Sequence, residues 1–353
     1  MLEINVRSVS SRVKGQGVDS AFKDHVEILK KSSRLKVYIN DWRLCDILHV
    51  HTLDPVSFFM MWLHKLFHRK IVVSVHVVPD SLKGSLKLPK WFEKIFVKYM
   101  IRFYKFADKC VVVNSFFVKE LVKLGIPVHK VKFIPNVVSE KMFRPQPHKK
   151  REYRQKFGIP EDSFVVVSTG QVQKRKGVDD FVKTARILKD VLFVWVGGFS
   201  FGKITDGYEE YRKLVENPPD NLRFTGLVDR ETVAEYLNAS DVFFLPSYQE
   251  LFPMAVLEAS RCNLPLVLRD VDIYKEILDG RYLCATSPEE FASVIRRLKE
   301  NKKFYNEYVK KAAELADIYS PRNILKQWEE LYHELTPENE HKRDAQENAD
   351  DKE

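Results

Sequence analysis

Residues 165–188 read VVVSTGQVQKRKGVDDFVKTARIL. An apolar, β-branched run ends at Gly170, a loop carries Lys174, Arg175 and Lys176, and Gly177 introduces an amphipathic helix. A strand, a basic loop and a helix N-terminus are the parts of a phosphate site, because backbone amides and ammonium groups converge where a leaving diphosphate gains charge. The GxxxxGK[ST] spacing of a Walker loop is absent. By itself the stretch is equally the composition of a solvated basic turn.

Outward from this unit the same alternation of short β-branched runs and longer helical patterns covers the chain, as expected for βαβ units and parallel sheets. In the first half, strands are expected at EINVRS, LKVYIN, DILHVH, KIVVSVH, DKCVVVN and HKVKFIP, with helices over 19–31, 55–68, 89–106 and 114–124. The pattern pauses in the proline-rich segment around 141–150 and restarts with strands at SFVVVSTG, VLFVWVGG, NLRFTG, DVFFLPS and LPLVLR. The expected fold class is α/β, with two Rossmann-like doubly wound domains facing a central cleft. Its boundaries are 1–140, a linker at 141–150, 151–318, a C-terminal helix over 319–335 that packs back on the first domain, and a disordered tail over 336–353 that lacks apolar anchors.

A second stretch, LPSYQELFPMAVLEAS at 245–260, places Glu250 and Glu258 eight positions apart. If Leu251 begins a helix, Glu250 stands at its N-terminal edge and Glu258 about two turns along. A carboxylate at the loop can accept from sugar hydroxyls, and one deeper can hold a ribose diol; two solvated helix residues have the same spacing. Taken in order, the two stretches resemble family 4 glycosyltransferases of the GT-B fold, where a Gly-Arg…Lys-Gly loop precedes a Glu-x7-Glu segment. IPNVVSEKMFRP at 134–145, KGQGVDSAF at 14–22, VVSVH at 72–76 and NLRFTG at 221–226 are similar to other parts of that pattern. GQVQKRKGVDDF, VGGFSFGKITDGYEE and LRDVDIYKEIL look like the bacterial subgroup that makes glycosyl-diacylglycerols.

The resemblance implies that Lys176 holds the diphosphate of a UDP-sugar, that Glu250 contacts the donor sugar and that His76 faces the sugar being transferred. It implies donor contacts from Gly170, Gln171, Arg175, Gly226, the amides of Phe252, Pro253 and Met254, and Glu258 on the ribose. Gly15 and Gly17 would let backbone approach donor and acceptor. Implied too is a retaining transfer of glucose or galactose from UDP-glucose or UDP-galactose to a lipid acceptor, with no cofactor and no obligatory metal. Two departures stand out: Gln171 replaces the family Arg, which removes a bidentate fork, and Val137 replaces a Gly after Pro-Asn, which alters the turn.

Charge is distributed unevenly. Residues 1–150 hold 28 Lys and Arg against 12 Asp and Glu, and the remainder 30 against 37. The first half is expected to meet something anionic. Within 82–109, Lys83, Lys87, Lys90, Lys94, Lys98, Arg102, Lys105 and Lys109 recur three or four apart, with Trp91 at the start and Phe92, Ile95, Phe96, Tyr99, Met100, Phe103 and Phe106 on the neighbouring arc. A helix packing its aromatic arc on the domain and turning this basic face to an anionic membrane surface accounts for both halves of the pattern. No apolar stretch is long enough to span a bilayer, so the expectation is a cytoplasmic protein peripheral to the inner face of the membrane. A nucleic-acid-binding protein is the non-enzyme alternative and a transferase for a soluble or polyprenyl-linked glycan the enzymatic one; the net acidic second half argues against a nucleic-acid partner. Nothing specifies an oligomeric state. Cys45, Cys110, Cys262 and Cys284 have no CxxC spacing, and His49 and His51, on one face of a strand near Asp54, lack a third ligand by spacing, so no metal site is expected. Asp80 and Asp206 are further residues suited to acceptor contact.

Overall fold

The computed structural model describes residues 1–9, 17–79, 90–199, 207–250 and 252–336. Strands β1 (Leu2–Arg7), β2 (Leu35–Ile39), β3 (Ile47–Val50), β4 (Lys70–Ser74), β5 (Lys109–Val112) and β6 (Val131–Phe133) form one sheet in the order β2-β1-β3-β4-β5-β6. The intervening helices are α1 (Gly17–Leu29), α2 (Pro55–Leu66), α3 (Lys90–Phe106) and α4 (Ser115–Lys123). Every pairing is parallel, which requires crossover helices on both faces and explains why β3 and β5 are buried along their whole length.

A second parallel sheet follows α5 (Lys150–Lys156). It is built from β7 (Val165–Thr169), β8 (Leu192–Val196), β9 (Leu222–Phe224), β10 (Val242–Leu245), β11 (Leu266–Arg269) and β12 (Leu283–Ala285), ordered β12-β11-β10-β7-β8-β9. Helices α6 (Val178–Ile187), α7 (Tyr208–Glu216), α8 (Arg230–Ala239), α9 (Met254–Arg261), α10 (Asp272–Leu278), α11 (Pro288–Glu300), α12 (Lys302–Ile318) and α13 (Pro321–Glu334) complete the order. Strand β12 was absent from the sequence reading: three residues, Leu-Cys-Ala, are too short to show a period.

Helix starts follow local chemistry. Asp54 accepts from the Ser57 amide at 2.9 Å with Pro55 at the first position of α2, and Asn114 accepts from the Phe117 amide at 2.7 Å at the head of α4.

The first sheet has two different faces. Leu48, Val50, Ile71, Val73 and Val112 pack with Met60, Met61, Met100, Phe103 and Phe117 of α2, α3 and α4. Ile4, Val6, Ile47, Val72 and Val111 pack on the other side with Phe22, Val26 and Leu29 of α1 and with Ile324, Trp328, Leu331 and Tyr332 of α13. The chain therefore returns, after finishing the second domain, to close the core of the first.

Two expectations for α3 are corrected. Lys109 is not on its basic face: it lies in β5, buried, with Nζ donating to the His129 carbonyl at 2.7 Å. Ile95 is 58% exposed rather than packed. Lys94, Lys98, Arg102 and Lys105 are exposed as read, and so is Trp91. Lys83 and Lys87, with the side chain of Lys90, lie outside the described residues.

Trp328→Ala removes the largest α13 side chain from the first core. It is expected to cost about 3–5 kcal/mol, seen as an earlier first transition in urea unfolding and as faster proteolytic release of the C-terminal helix.

Candidate functional site

In doubly wound sheets a ligand crevice forms at the carboxyl ends of the strands where the strand order reverses. In the second sheet that point lies between β7 and β10, and the loops leaving these strands are the two stretches singled out above. The loop after β7 makes a short turn at Lys174–Lys176 and swings into α6 through Gly177 at φ 74°. A side chain is excluded there twice over: by the left-handed backbone, and because a Cβ would lie 2.1 Å from the Pro246 carbonyl oxygen. The loop after β10 is bonded to this turn. The Tyr248 amide donates to the Arg175 carbonyl at 2.9 Å, Arg175 Nη1 donates to the Gln249 carbonyl at 3.0 Å, and Arg269 Nε donates to the Pro246 carbonyl at 3.0 Å.

Lys176 Nζ donates to Glu250 Oε1 at 2.6 Å, with both side chains largely out of solvent. Burial pushes the Lys176 ammonium below its ordinary value, with Glu250 pulling the other way. For Glu250 burial acts to raise the carboxyl, and Lys176, helped by Arg175, leaves it below its ordinary value. An ammonium has three donors, so Lys176 keeps donors for a ligand while Glu250 holds it in place. Such a pair suits a site where negative charge is received, since the cation is fixed before the charge arrives.

One cleft gathers most of the expected residues. From the second domain it is lined by Gly170, Gln171, Arg175, Lys176, Glu250, Phe252, Pro253, Met254 and Glu258, and from the first by Val18, Ser20, Ala21, His76, Val77 and Asn136. Gly17 begins α1, whose next residues reach the cleft; Gly15, Asp80 and Asp206 lie outside the described residues. Gly226 is not in the lining: at φ 71° it turns the chain so that Leu227 and Val228 are. Gly197, whose Cβ would lie 2.0 Å from the Gly170 carbonyl oxygen, lets the ends of β7 and β8 close backbone to backbone.

The start of α9 departs from the sequence reading. The helix begins at Met254, not Leu251, so Glu250 belongs to the loop and not to a helix edge. Of the three amides expected to face the donor, Pro253 has none and that of Met254 is spent on the Phe252 carbonyl at 3.0 Å.

Sequence reasoning missed Arg230 entirely. From the start of α8 its Nη1 and Nη2 each donate to one oxygen of Asp24 on α1 at 2.8 Å, and Nη2 also donates to Glu258 Oε1 at 2.9 Å. The guanidinium bridges the two domains across the cleft wall. Burial raises both carboxyls and Arg230 offsets part of that. Nothing local marks Arg230, because its partners lie 206 and 28 positions away.

The metal question resolves differently from its sequence form. Asp54 is committed to capping α2, accepting also from Thr52 and Ser57 hydroxyls, while His25 joins His49 and His51, with one ligand atom from each within 4.8 Å of the others. These nitrogens are engaged with one another and with neighbouring side chains: His25 Nδ1 meets His51 Nε2 at 3.0 Å, His51 Nδ1 meets His76 Nε2 at 3.1 Å, and His49 Nδ1 meets the Tyr332 hydroxyl at 2.7 Å. All four imidazoles are driven toward the neutral form by burial, His25 to about 3 and His76 to about 4, with His49 and His51 well below the ordinary histidine value.

The chain matches the model of glycosyl transferases group 1 over residues 149–315 and that of glycosyltransferase family 4 over residues 13–141. It is 40% identical over 334 residues, 94% of this chain and 89% of the relative, to the alpha-galactosylglucosyldiacylglycerol synthase of Streptococcus pneumoniae. It is 24% identical to the processive diacylglycerol alpha-glucosyltransferase of Acholeplasma laidlawii, over 71% of this chain and 78% of that one. Among solved structures, Anabaena HepE in complex with UDP-glucose superposes with a TM-score of 0.72 at 16% identity, over 94% of this chain and 99% of that one. Sucrose-phosphate synthase from Thermosynechococcus elongatus gives 0.75 at 17%, over 95% and 99%. The chain belongs to the group 1, family 4 glycosyltransferases and has their GT-B fold. It is an enzyme of glycosyl transfer.

Arg230→Ala strands two buried carboxylates on opposite sides of the cleft. The expected outcome is a loss of about 3–5 kcal/mol in thermal or urea unfolding, and restoration of part of it by pairing the change with Asp24→Asn.

Proposed function

We propose that this enzyme is a retaining transferase that moves glucose or galactose from the corresponding UDP-sugar to a membrane lipid such as diacylglycerol or glucosyl-diacylglycerol, while docked on the anionic inner face of the cell membrane. The observation that carries the lipid half of this reading is an exposed apolar stripe beside a basic one on the domain that faces the acceptor. On α2, Val56, Phe59, Trp62 and Leu66 recur at helical spacing with exposures of 44, 50, 51 and 57%, and Phe67 follows at 55%. Their opposite face, Ser57, Met60, Met61 and His64, is buried. Phe58 joins α2 to α3 through ring contacts with Tyr99, Phe103 and Phe106. On α3, Lys94, Lys98, Arg102 and Lys105 are exposed and make no ion pair among the described residues, with Trp91 and Ile95 exposed alongside.

Aromatic and aliphatic side chains that enter the acyl boundary beside lysines that meet headgroups are the composition of a helix pair lying in a membrane interface. No helix of the described residues is long and apolar enough to cross a membrane. The names of the two relatives, both synthases of glycosylated diacylglycerols, support the same acceptor class.

For the donor half, Lys176, Arg175 and the N-terminal turn of α6 supply fixed positive charge for the departing UDP without calling on a metal, and Glu258 supplies a carboxylate for the ribose once Arg230 shares it. Glu250 and His76 contact the transferred sugar. The acceptor hydroxyl attacks from the face that UDP leaves, and its proton passes to the phosphate. Arg175 stands in for the family cation missing at Gln171.

Radiolabelled UDP-glucose and UDP-galactose, each offered with diacylglycerol and with glucosyl-diacylglycerol, are expected to give a glycolipid spot on thin-layer chromatography. Lys176→Ala should reduce its rate roughly a hundredfold or more with the fold retained by circular dichroism; an unaltered rate removes Lys176 from the mechanism. In flotation with phosphatidylglycerol vesicles, the quadruple change of Lys94, Lys98, Arg102 and Lys105 to Ser is expected to weaken binding roughly a hundredfold or more, at about 1 kcal/mol per basic residue. Phe59→Ser with Trp62→Ser should abolish the salt-resistant fraction.

A further inference from the structure

Behind His76, away from the cleft, lies a file of polar side chains in an otherwise apolar core. His76 Nε2 meets His51 Nδ1 at 3.1 Å, His51 Nε2 meets His25 Nδ1 at 3.0 Å, and His25 Nε2 meets the Tyr332 hydroxyl at 3.5 Å. The Tyr332 hydroxyl meets His49 Nδ1 at 2.7 Å, and His49 Nε2 meets Ser74 Oγ at 2.8 Å. His25, His49, His51 and Tyr332 are all buried. The rings also pack on one another: His49 stacks on His51 at 4.6 Å and His51 on His76 at 5.3 Å, with Trp328 of α13 tilted against His25 at 4.4 Å and against His49 at 4.9 Å.

Such an investment is large for a core that aliphatic residues would fill without polar atoms to satisfy. The file also has a property that no isolated buried histidine has. A neutral imidazole carries one N–H and one bare nitrogen, so the two imidazole-to-imidazole links, His76–His51 and His51–His25, can be satisfied only by pointing the same way. Either the N–H groups of His76, His51 and His25 all point away from the cleft and His76 presents a bare Nδ1, or all three point toward it and His76 presents Nδ1–H; the Tyr332 hydroxyl, able to donate or accept, closes the file in either sense. Ring orientation and tautomer at the cleft are thus set together by residues that never reach it.

We infer that His51, His25 and Tyr332 are positioning residues for His76, holding its ring and its tautomer through a one-directional hydrogen-bonded file that ends on the C-terminal helix. The inference rests on the reading of His76 as the residue facing the transferred sugar. It assigns α13 a part in catalysis beyond closing the core, since Tyr332 is the link between His25 and His49.

The test compares His51→Phe, His51→Gln, Tyr332→Phe and His76→Ala in the full-length enzyme with the glycolipid assay. His51→Phe keeps a ring on His76 but cuts the file, whereas Gln restores a side chain able to donate and accept. Expected are a fall in kcat of about tenfold for His51→Phe, with KM for the UDP-sugar within about twofold, and partial rescue in His51→Gln. Tyr332→Phe, which removes one oxygen, should lower kcat severalfold while circular dichroism shows the fold retained at the assay temperature. Side-chain 15N spectra at neutral pH should show one neutral tautomer at His76 in the wild type and a mixture in His51→Phe. Full kcat in folded His51→Phe and Tyr332→Phe, while His76→Ala is inactive, overturns the positioning role alone. Activity in His76→Ala overturns the reading of His76 itself. Stoichiometric Zn(II) uptake measured on the purified wild type overturns the file, because a metal held by His25, His49 and His51 needs the nitrogens that the file uses.

Discussion

A 2.6 Å contact between Lys176 and Glu250 joins the two loops that line the second domain's side of the cleft. Either charge alone in that position would carry a desolvation penalty of several kcal/mol, so each loop is stable in its place because the other is there. The backbone serves the contact. Gly177 lets the chain turn where any side chain would strike the Pro246 carbonyl, and bonds from Tyr248 to Arg175 and from Arg269 to Pro246 keep the second loop from drifting. The ion pair is therefore a consequence of strand order, since β7 and β10 are neighbours across the point where the sheet reverses.

The first domain answers with different chemistry. Where the second offers cations and carboxylates, the first offers His76, held neutral by burial, and a wall from α1. Arg230 joins the two, spending its guanidinium on Asp24 of one domain and Glu258 of the other. The first domain also carries the exposed basic and apolar stripes of α3 and α2.

How much of this was legible depended on how local each signal is. Strands such as VVVST and IVVS announce themselves by composition, and eleven of the twelve strands were read within a residue or two; β12 fell below the length at which a pattern exists. Lys176, Glu250 and Glu258 were legible because loop spacing after two strands is a local property. Lys109 was misread because helical spacing continued past the end of α3 into β5. The exposed stripe of α2 has its spacing in PVSFFMMWLHKL, but apolar residues on both faces of that helix leave composition unable to tell the exposed face from the buried one. Arg230, His25 and Tyr332 were illegible in principle, for their meaning comes from partners on other elements, up to 307 positions away.

The return of α13 to the first domain has a consequence for biosynthesis. Ile324, Trp328, Leu331, Tyr332 and Leu335 belong to a core whose other buried members precede residue 140. At about 5–20 residues per second, the first sheet waits on the order of ten seconds or more with one face open, until the last helix leaves the ribosome. The second domain can complete its own sheet in that interval. Chain order thus makes the domain that is begun first the one that is finished last, and a nascent chain stalled before residue 321 would expose an apolar sheet face set with buried histidines to whatever chaperone attends it.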